Sequence, residues 1–352
     1  MSLDWILKLI FLRANKSYIM SKIRVAINGF GRIGRVFLRR ALLRKEIEVV
    51  AINDLTDAST MAHLFKYDSI HRAFSGEVTC DERNLYINGA AIQIFNEKDP
   101  AHLPWEKLNI DVVIESTGKF TTKEKAEQHI NSGAKRVIIS APSPDKEVPT
   151  IVLGVNEHLL NASKQIISNA SCTTNNLAPM IKILDDLWGV ESGYITTVHS
   201  YTGDQSLHDS PHKDLRRARA AAQSIIPTTT GAAKAITSVF PHLEGKLGGA
   251  GIRVPVPNGS LTDFTCVLRT VPSVQEINEA FLAASQNELK GILEYTVDPI
   301  VSVDVLGNPY SCVFDSQLTS VVGEMVKVVG WYDNEFGYSS RLVDLILKWY
   351  QV

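Results

Sequence analysis

Cys172 stands alone in the run "NASCTTN", and the stretch beyond it, "NNLAPMIKILDDLW", repeats its apolar residues with helical spacing. Ser171, Thr173 and Thr174 are residue types that cap helices. A thiol at such a helix start meets unpaired backbone N–H groups and the positive end of the dipole, and both favour the thiolate. Pro179 removes one helical hydrogen bond, so irregular early turns are expected. An isolated cysteine is more often a small apolar filler than a nucleophile. What changes the reading is a base. His199 ends the strand-like run "YITTVHS", and an imidazole at a strand end can take a thiol proton and then manage protons on a bound intermediate.

A second chemistry lies in "PHKDLRRARAAAQSIIPTTTGAAKA". Lys213, Arg216, Arg217 and Arg219 form a local positive cluster, and Thr228 to Gly231 make a hydroxyl-rich turn entering a helical run. Arginine forks and hydroxyls at a helix start suit a phosphate, although most such clusters are solvated faces. Interleaved aromatics are absent and the net charge is -2, so neither nucleic acid nor a membrane surface is expected as a partner. Cys80, Cys266 and Cys312 are far apart, and His208 and His212 lack ligands at metal spacing, so no metal site is expected.

The third is "NGFGRIG", which supplies Gly29, Gly31 and Gly34 between the strand-like "IRVAI" and the helical "RVFLRRALL". In that context the glycines permit a tight turn and close approach to a pyrophosphate. Asp54 ends a second strand, where a carboxylate accepts from ribose hydroxyls and repels a 2′-phosphate; NAD is favoured over NADP.

Elements must position these groups. From Lys22 to Ala170, buried-strand runs alternate with helical patterns, which implies a Rossmann-type doubly wound parallel sheet. "NLYINGAAIQIF" reads as a hairpin set into it. Beyond Cys172, longer period-two runs such as "GIRVPVPNGSLTDFTCVLRT" imply an α+β domain with a largely antiparallel sheet. The division expected is residues 22–170 for NAD binding, completed by a C-terminal helix over 335–352, and 171–334 for catalysis. Residues 1–21 read as an extension of unknown role. Their apolar patch is interrupted by Lys8 and is too short to span a bilayer, so a cytoplasmic protein is expected. The four scattered cysteines agree with a reducing compartment.

Taken together, "INGFGRIGR", "AINDLTD", "SNASCTTNNLAP", "TTVHSYTGDQ", "HKDLRRARAAAQSIIPTTTGAAKA", "RVPVPN" and "WYDNEFGYS" resemble phosphorylating glyceraldehyde-3-phosphate dehydrogenases, in order from Lys22 to the C-terminus. The resemblance implies that Cys172 adds to an aldehyde to give a thiohemiacetal. Hydride transfer to NAD then leaves a thioester that inorganic phosphate cleaves, with His199 as the base. It implies that Thr202, Asp204, Arg217 and Arg253 hold the phosphate of glyceraldehyde 3-phosphate, and that Ser171, Thr173, Thr230 and Gly231 receive the attacking phosphate. NAD contacts are implied at Arg32, Ile33, Asp54, Lys98, Thr117, Ser140 and Asn334, with Lys98 where the family usually has arginine. A homotetramer is implied as well.

Departures from the family pattern matter too. Asn176 stands where many members have a second cysteine, so a disulfide partner for Cys172 is missing. Ser210 replaces a leucine usual in strictly NAD-dependent members, which weakens one barrier to a 2′-phosphate while Asp54 keeps the other. The sister enzyme erythrose-4-phosphate dehydrogenase is the alternative. The intact "TTTG" turn favours the phosphorylating triose enzyme.

Overall fold

The computed structural model describes residues 22–352; the extension expected over 1–21 lies outside the described residues. Apolar runs without polar alternation need cover on both faces. β1 (Ile23–Asn28) shows this, with Val25, Ala26 and Ile27 fully buried. Around it run β2 (Ile47–Asn53), β3 (Val78–Cys80), β4 (Asn84–Ile87), β5 (Ala90–Phe95), β6 (Val112–Glu115), β7 (Arg136–Ile139) and β8 (Ile166–Ser168). Their order across the sheet is β3-β4-β5-β2-β1-β6-β7-β8. The pairs from β5 to β8 are parallel, while β3 and β4 add an antiparallel edge. The expected hairpin is β4–β5, turning at Asn88 (φ 51°) and Gly89 (φ 79°), the left-handed pair that a two-residue hairpin turn requires. The chain leaves β1 for β2 on one side and reaches β6 on the other. Such a reversal opens a crevice at the carboxyl ends of the strands.

Helices α1 (Arg32–Ala41), α2 (Ala58–Lys66) and α3 (Lys123–Asn131) cover this sheet. A second sheet runs β10-β11-β9-β12-β16-β14-β13, from β9 (Val190–Ser200), β10 (Ile226–Thr228), β11 (Leu247–Val254), β12 (Ser260–Leu268), β13 (Leu293–Thr296), β14 (Cys312–Asp315) and β16 (Met325–Tyr332), with β15 (Ser320–Val322) beside β16. It is antiparallel except at β11·β9 and β13·β14. Alternate residues of β12 are buried, as expected of a sheet covered on one face. That cover is α4 (Cys172–Trp188), α5 (Ala232–Val239) and α6 (Val274–Gln286), whose Leu177, Ile236 and Phe281 share a core with Ile195 and Phe264 of the sheet. Pro179 does not divide α4, which runs on to Gly189, where φ 70° ends it. The last helix, α7 (Phe336–Trp349), places Leu342, Leu345, Ile346 and Trp349 in the core of the first sheet, with Val25, Ile27 and Phe37.

An ionic network fastens α7 to the start of α1. Arg32 Nη1 lies 2.6 Å from Asp68 Oδ2 and Arg32 Nη2 lies 2.5 Å from Glu335 Oε2, with His71 Nε2 2.9 Å from the same oxygen. Burial pushes the Asp68 carboxyl up, but Arg32 and the N–H groups of His71 and Ile70 outweigh it and bring it down to about 2. A depressed carboxyl contributes stability above its unfolded value and loses it as pH falls through the folded one. Asp68→Asn should therefore cost about 2 kcal/mol at neutral pH. The gap between wild type and variant should close as pH falls from about 4 towards 2. Denaturant melts at several pH values check this; a gap independent of pH in that window would sink it.

Candidate active site

Cys172 opens α4 behind the N-cap Ser171, whose Oγ accepts from Thr174 N at 3.1 Å. Ala170 just before it is left-handed (φ 54°), a strained state for a residue with a Cβ. Three hydrogen bonds hold the turn: Asn175 Nδ2 donates to Asn169 O at 2.8 Å and to Ser171 O at 3.0 Å, and Tyr338 Oη donates to Ala170 O at 2.9 Å. The result presents Cys172 Sγ 3.5 Å from Nε2 of His199, near the end of β9.

The other face of the imidazole is contested. His199 Nδ1 lies 2.7 Å from Ser200 O and 2.7 Å from Arg253 Nη1, which also donates to Ser200 O at 2.8 Å. Arg253 is there because β11 pairs with β9 in parallel, which sets Arg253 opposite His199. A guanidinium only donates, so Nδ1 accepts from it only when bare, and the ring hydrogen then sits on Nε2, facing sulfur. If Arg253 moves away, Nδ1–H can donate to Ser200 O and the Nε2 lone pair faces the thiol. Nδ1 therefore serves Arg253 in one tautomer and Ser200 O in the other.

Burial pushes the Cys172 thiol up, against the pull of Arg253 and the Thr173 hydrogen bonds. Burial, aided by Arg253, presses the His199 imidazole down to about 3. The dipole argument for a thiolate is thus outweighed by desolvation when either group is charged alone. A proton passed from sulfur to nitrogen keeps the pair neutral overall, which a buried site tolerates best.

Thr202, Asp204 and Arg217 come together beside this pair. Thr202 Oγ1 donates to Asp204 Oδ1, and Arg217 Nη1 reaches Asp204 Oδ2 at 2.7 Å. Arg217 Nε also donates to Thr228 Oγ1 at 2.9 Å. Burial pushes the Asp204 carboxyl up, but Thr202 and the two arginines hold it below its usual range. Asp204 therefore serves as counter-ion to an arginine that an incoming anion could share. Thr230 and Gly231 precede α5; Gly231 is its N-cap with open space around it, and Thr230 Oγ1 accepts from Ala232 N at 3.1 Å. The Ser171 and Thr173 hydroxyls already have protein partners, in Thr174 and in Tyr332 Oη at 3.0 Å.

At the carboxyl ends of the first sheet lies a groove of about 550 Å³, lined by Gly29, Gly31, Asp54, Lys98 and Thr117 among others. The three glycines differ in purpose. Gly29 has φ 94°, and a Cβ there would lie 2.7 Å from Thr117 N; one at Gly34 would lie 2.2 Å from Gly29 O. A Cβ at Gly31 meets nothing within 4 Å, so its absence leaves open space at the helix start. A bare helix N-terminus with that space beside it fits a pyrophosphate. Asp54 accepts from Phe30 N at 2.6 Å and Thr56 N at 3.0 Å, one bond per oxygen, so each oxygen can accept again from a ribose. The groove residues fit NAD.

Three residues that the resemblance implies as NAD contacts also have partners within the protein. The Arg32 side chain is bound to Asp68 and Glu335 through four of its five N–H donors. Ser140 follows β7, with its N–H bonded to Glu115 O at 2.9 Å, while Ile33 packs against the core of the first sheet. Asn334 stands just before α7. Its Oδ1 accepts from Ser200 Oγ and Ser260 Oγ, each at 2.9 Å, which fixes the amide and turns Nδ2 the other way. The sequence did not single out Tyr332, Tyr338, Ser200 or Ser260 as part of the site. The two tyrosines lie within the quoted "WYDNEFGYS", but only the folded chain brings them to Thr173 and Ala170.

Comparison with known proteins agrees with this geometry. Residues 23–123 match the family model "Glyceraldehyde 3-phosphate dehydrogenase, NAD binding domain", and residues 171–334 match "Glyceraldehyde 3-phosphate dehydrogenase, C-terminal domain". Glyceraldehyde-3-phosphate dehydrogenase 2 of Bacillus subtilis is 54% identical over 327 residues, covering 92% of this chain and 96% of its own. Glyceraldehyde-3-phosphate dehydrogenase 2 of Streptomyces avermitilis is 56% identical over 327 residues, with 92% and 97% covered. Glyceraldehyde-3-phosphate dehydrogenase of Mycobacterium avium is 55% identical over 331 residues, again with 92% and 97% covered. With Cys172, His199 and the groove each positioned by elements that these matches span, the chain belongs to the glyceraldehyde 3-phosphate dehydrogenase family, a group of NAD-dependent oxidoreductases.

Proposed function

We propose that this protein oxidises D-glyceraldehyde 3-phosphate, with NAD and inorganic phosphate, to 1,3-bisphosphoglycerate through a thioester on Cys172. The observation that carries the reading is the 3.5 Å approach of Cys172 Sγ to His199 Nε2 at a helix start beside arginines. His199 takes the thiol proton as sulfur bonds to the aldehyde carbon. The new oxyanion is stabilised by the Cys172 N–H and the imidazole, and protonation gives the thiohemiacetal. NAD, when bound, supplies the hydride acceptor that makes this centre a thioester. His199 accepts the hydroxyl proton at that stage. Phosphate then forms a bond to the acyl carbon, the carbon–sulfur bond breaks, and the thiolate is restored.

In this reading Arg217, Arg253, Thr202 and Asp204 hold the substrate phosphate. Ser171, Thr173, Thr230 and Gly231 receive inorganic phosphate, Ser171 and Thr173 by sharing hydroxyls that already have protein partners. Asp54, Lys98, Thr117, Ser140 and the backbone of Arg32 and Ile33 hold NAD, and Asn334 Nδ2 meets its carboxamide. A substrate phosphate that draws Arg253 off His199 would free Nδ1 for Ser200 O and turn the basic nitrogen to sulfur.

The assembly proposed is a homotetramer. On the sheet face turned away from α4 and α6, Tyr194 and Met325 are more than half exposed, which suits burial against a second copy. Sedimentation should return about four times the chain mass. A cytoplasmic location is supported by four unpaired cysteines; no helix among the described residues is long and apolar enough to cross a membrane. The deciding assay follows NADH absorbance with glyceraldehyde 3-phosphate, with and without phosphate, and with NADP and erythrose 4-phosphate as controls. Turnover that needs phosphate and prefers NAD and the triose is expected. Turnover indifferent to phosphate, or faster with the four-carbon sugar, would transfer the protein to the sister activity.

A further inference from the structure

Glu115 ends β6 with only 1% of its surface exposed, and the chemistry above gives it no part. Four donors converge on its carboxylate. Thr117 N, at 2.8 Å, and the Thr117 hydroxyl meet Oε1; Asn28 Nδ2, at 2.5 Å, and His129 Nε2, at 3.2 Å, meet Oε2. Two lone pairs per oxygen are all a carboxylate has, so the group is saturated. The tautomer of the fully buried His129 is set from its far side. Trp105 Nε1, which can only donate, meets His129 Nδ1 at 3.0 Å. Nδ1 is therefore bare and Nε2 carries the hydrogen that points at Glu115. The 3.4 Å approach of Asn28 Nδ2 to that nitrogen is then two donors side by side, not a bond.

From Asn28 the chain of bonds continues. Its Oδ1 accepts from Asn53 Nδ2 at 2.7 Å, and Asn53 exchanges two bonds with the Glu97 backbone, at 2.8 and 2.9 Å. Asn28 ends β1, Asn53 ends β2, Glu97 follows β5 and Thr117 follows β6. All four line the dinucleotide groove. Asn28 and Asn53 are the last residues that the backbone ladder joins, Glu97 and Thr117 lie just past it, and this side-chain cord carries the ties between neighbouring tips beyond the ladder's end.

We propose that Glu115 and His129 are positioning residues for the dinucleotide: without touching it, they set the spacing of the strand tips that grip it, and so its affinity. The inference rests on the groove being the cofactor site, which a wild-type NADH titration tests separately; no binding there defeats that reading rather than this one. Glu115→Gln keeps the shape but turns an amide towards one of the two donor pairs. The dissociation constant of NADH and the KM for NAD should rise about 10-fold, the scale expected when a buried donor loses its acceptor. The KM for the aldehyde and kcat at saturating NAD should stay within about twofold. Trp105→Phe frees the His129 tautomer without altering Glu115 and should move the same two constants by about threefold. A loss of melting temperature with both constants unchanged, in either variant, would overturn the proposal, as would a fall in kcat with KM for NAD unmoved. If the glutamine variant does not fold, the phenylalanine variant decides alone.

Discussion

Replacing Cys172 by serine should lower kcat by about 10⁴-fold or more, equivalent to about 5.5 kcal/mol of barrier, while NADH affinity stays within about twofold. The side chain is nearly isosteric, and Ser171, Asn175 and Tyr338 hold the turn through backbone oxygens and a cap that the substitution leaves alone. The loss therefore falls on chemistry. An alcohol is a far weaker acid than a thiol, and in a pocket where burial already pushes the Cys172 thiol up, the corresponding alkoxide is less accessible still. The second half of the reaction suffers too, because the ester that serine would form is a poorer acyl donor to phosphate than a thioester. Steady-state NADH formation, together with titration of NADH fluorescence, separates the two quantities. A serine variant retaining a tenth of the wild-type rate would mean that the nucleophile lies elsewhere.

What the sequence made legible was local. Gly29, Gly31, Gly34 and Asp54 declare a strand–turn–helix–strand unit within one short segment, and the physical needs of that turn hold wherever the rest of the chain goes. Cys172 and His199 were legible as residue types at a helix start and a strand end. Their contact depended on how the second sheet packs on α4, which periodicity does not encode. Arg253 shows the limit most clearly. The motif "RVPVPN" marks it as part of the family pattern, but only the parallel pairing of β11 with β9 sets it against His199. Arg32 shows the reverse: the resemblance implies a ligand contact there, whereas a carboxylate 303 positions away engages its side chain. The Glu115 network was silent for the same reason. Its members come from six separate segments, and they become a unit only when the strand tips meet.

His199→Asn should reduce kcat by about 10²- to 10⁴-fold, the usual reach of a positioned general base, and the pH dependence should reveal why. In the wild type, thiol and imidazole are 3.5 Å apart, and in the tautomer whose Nδ1–H donates to Ser200 O they can exchange a proton with no net charge created. Alkylation of Cys172 by iodoacetamide should therefore proceed readily near neutral pH. Without the imidazole, the thiolate can form only by placing a lone negative charge in a buried site, and burial holds the thiol above its ordinary value of 9.0. The sign follows directly: a thiol with a raised pKa is protonated below that value, so alkylation of the variant should be slow at neutral pH. It should rise only under alkaline conditions, with the neutral-pH rate about 10-fold or more below wild type. Asparagine can still donate a hydrogen bond to an oxyanion, so part of the stabilisation survives and the proton-transfer share of the loss is isolated. An alkylation profile identical to wild type would show that the sulfur is activated by the helix start and Arg253 without its neighbour. His199 would then act only after the carbon–sulfur bond has formed.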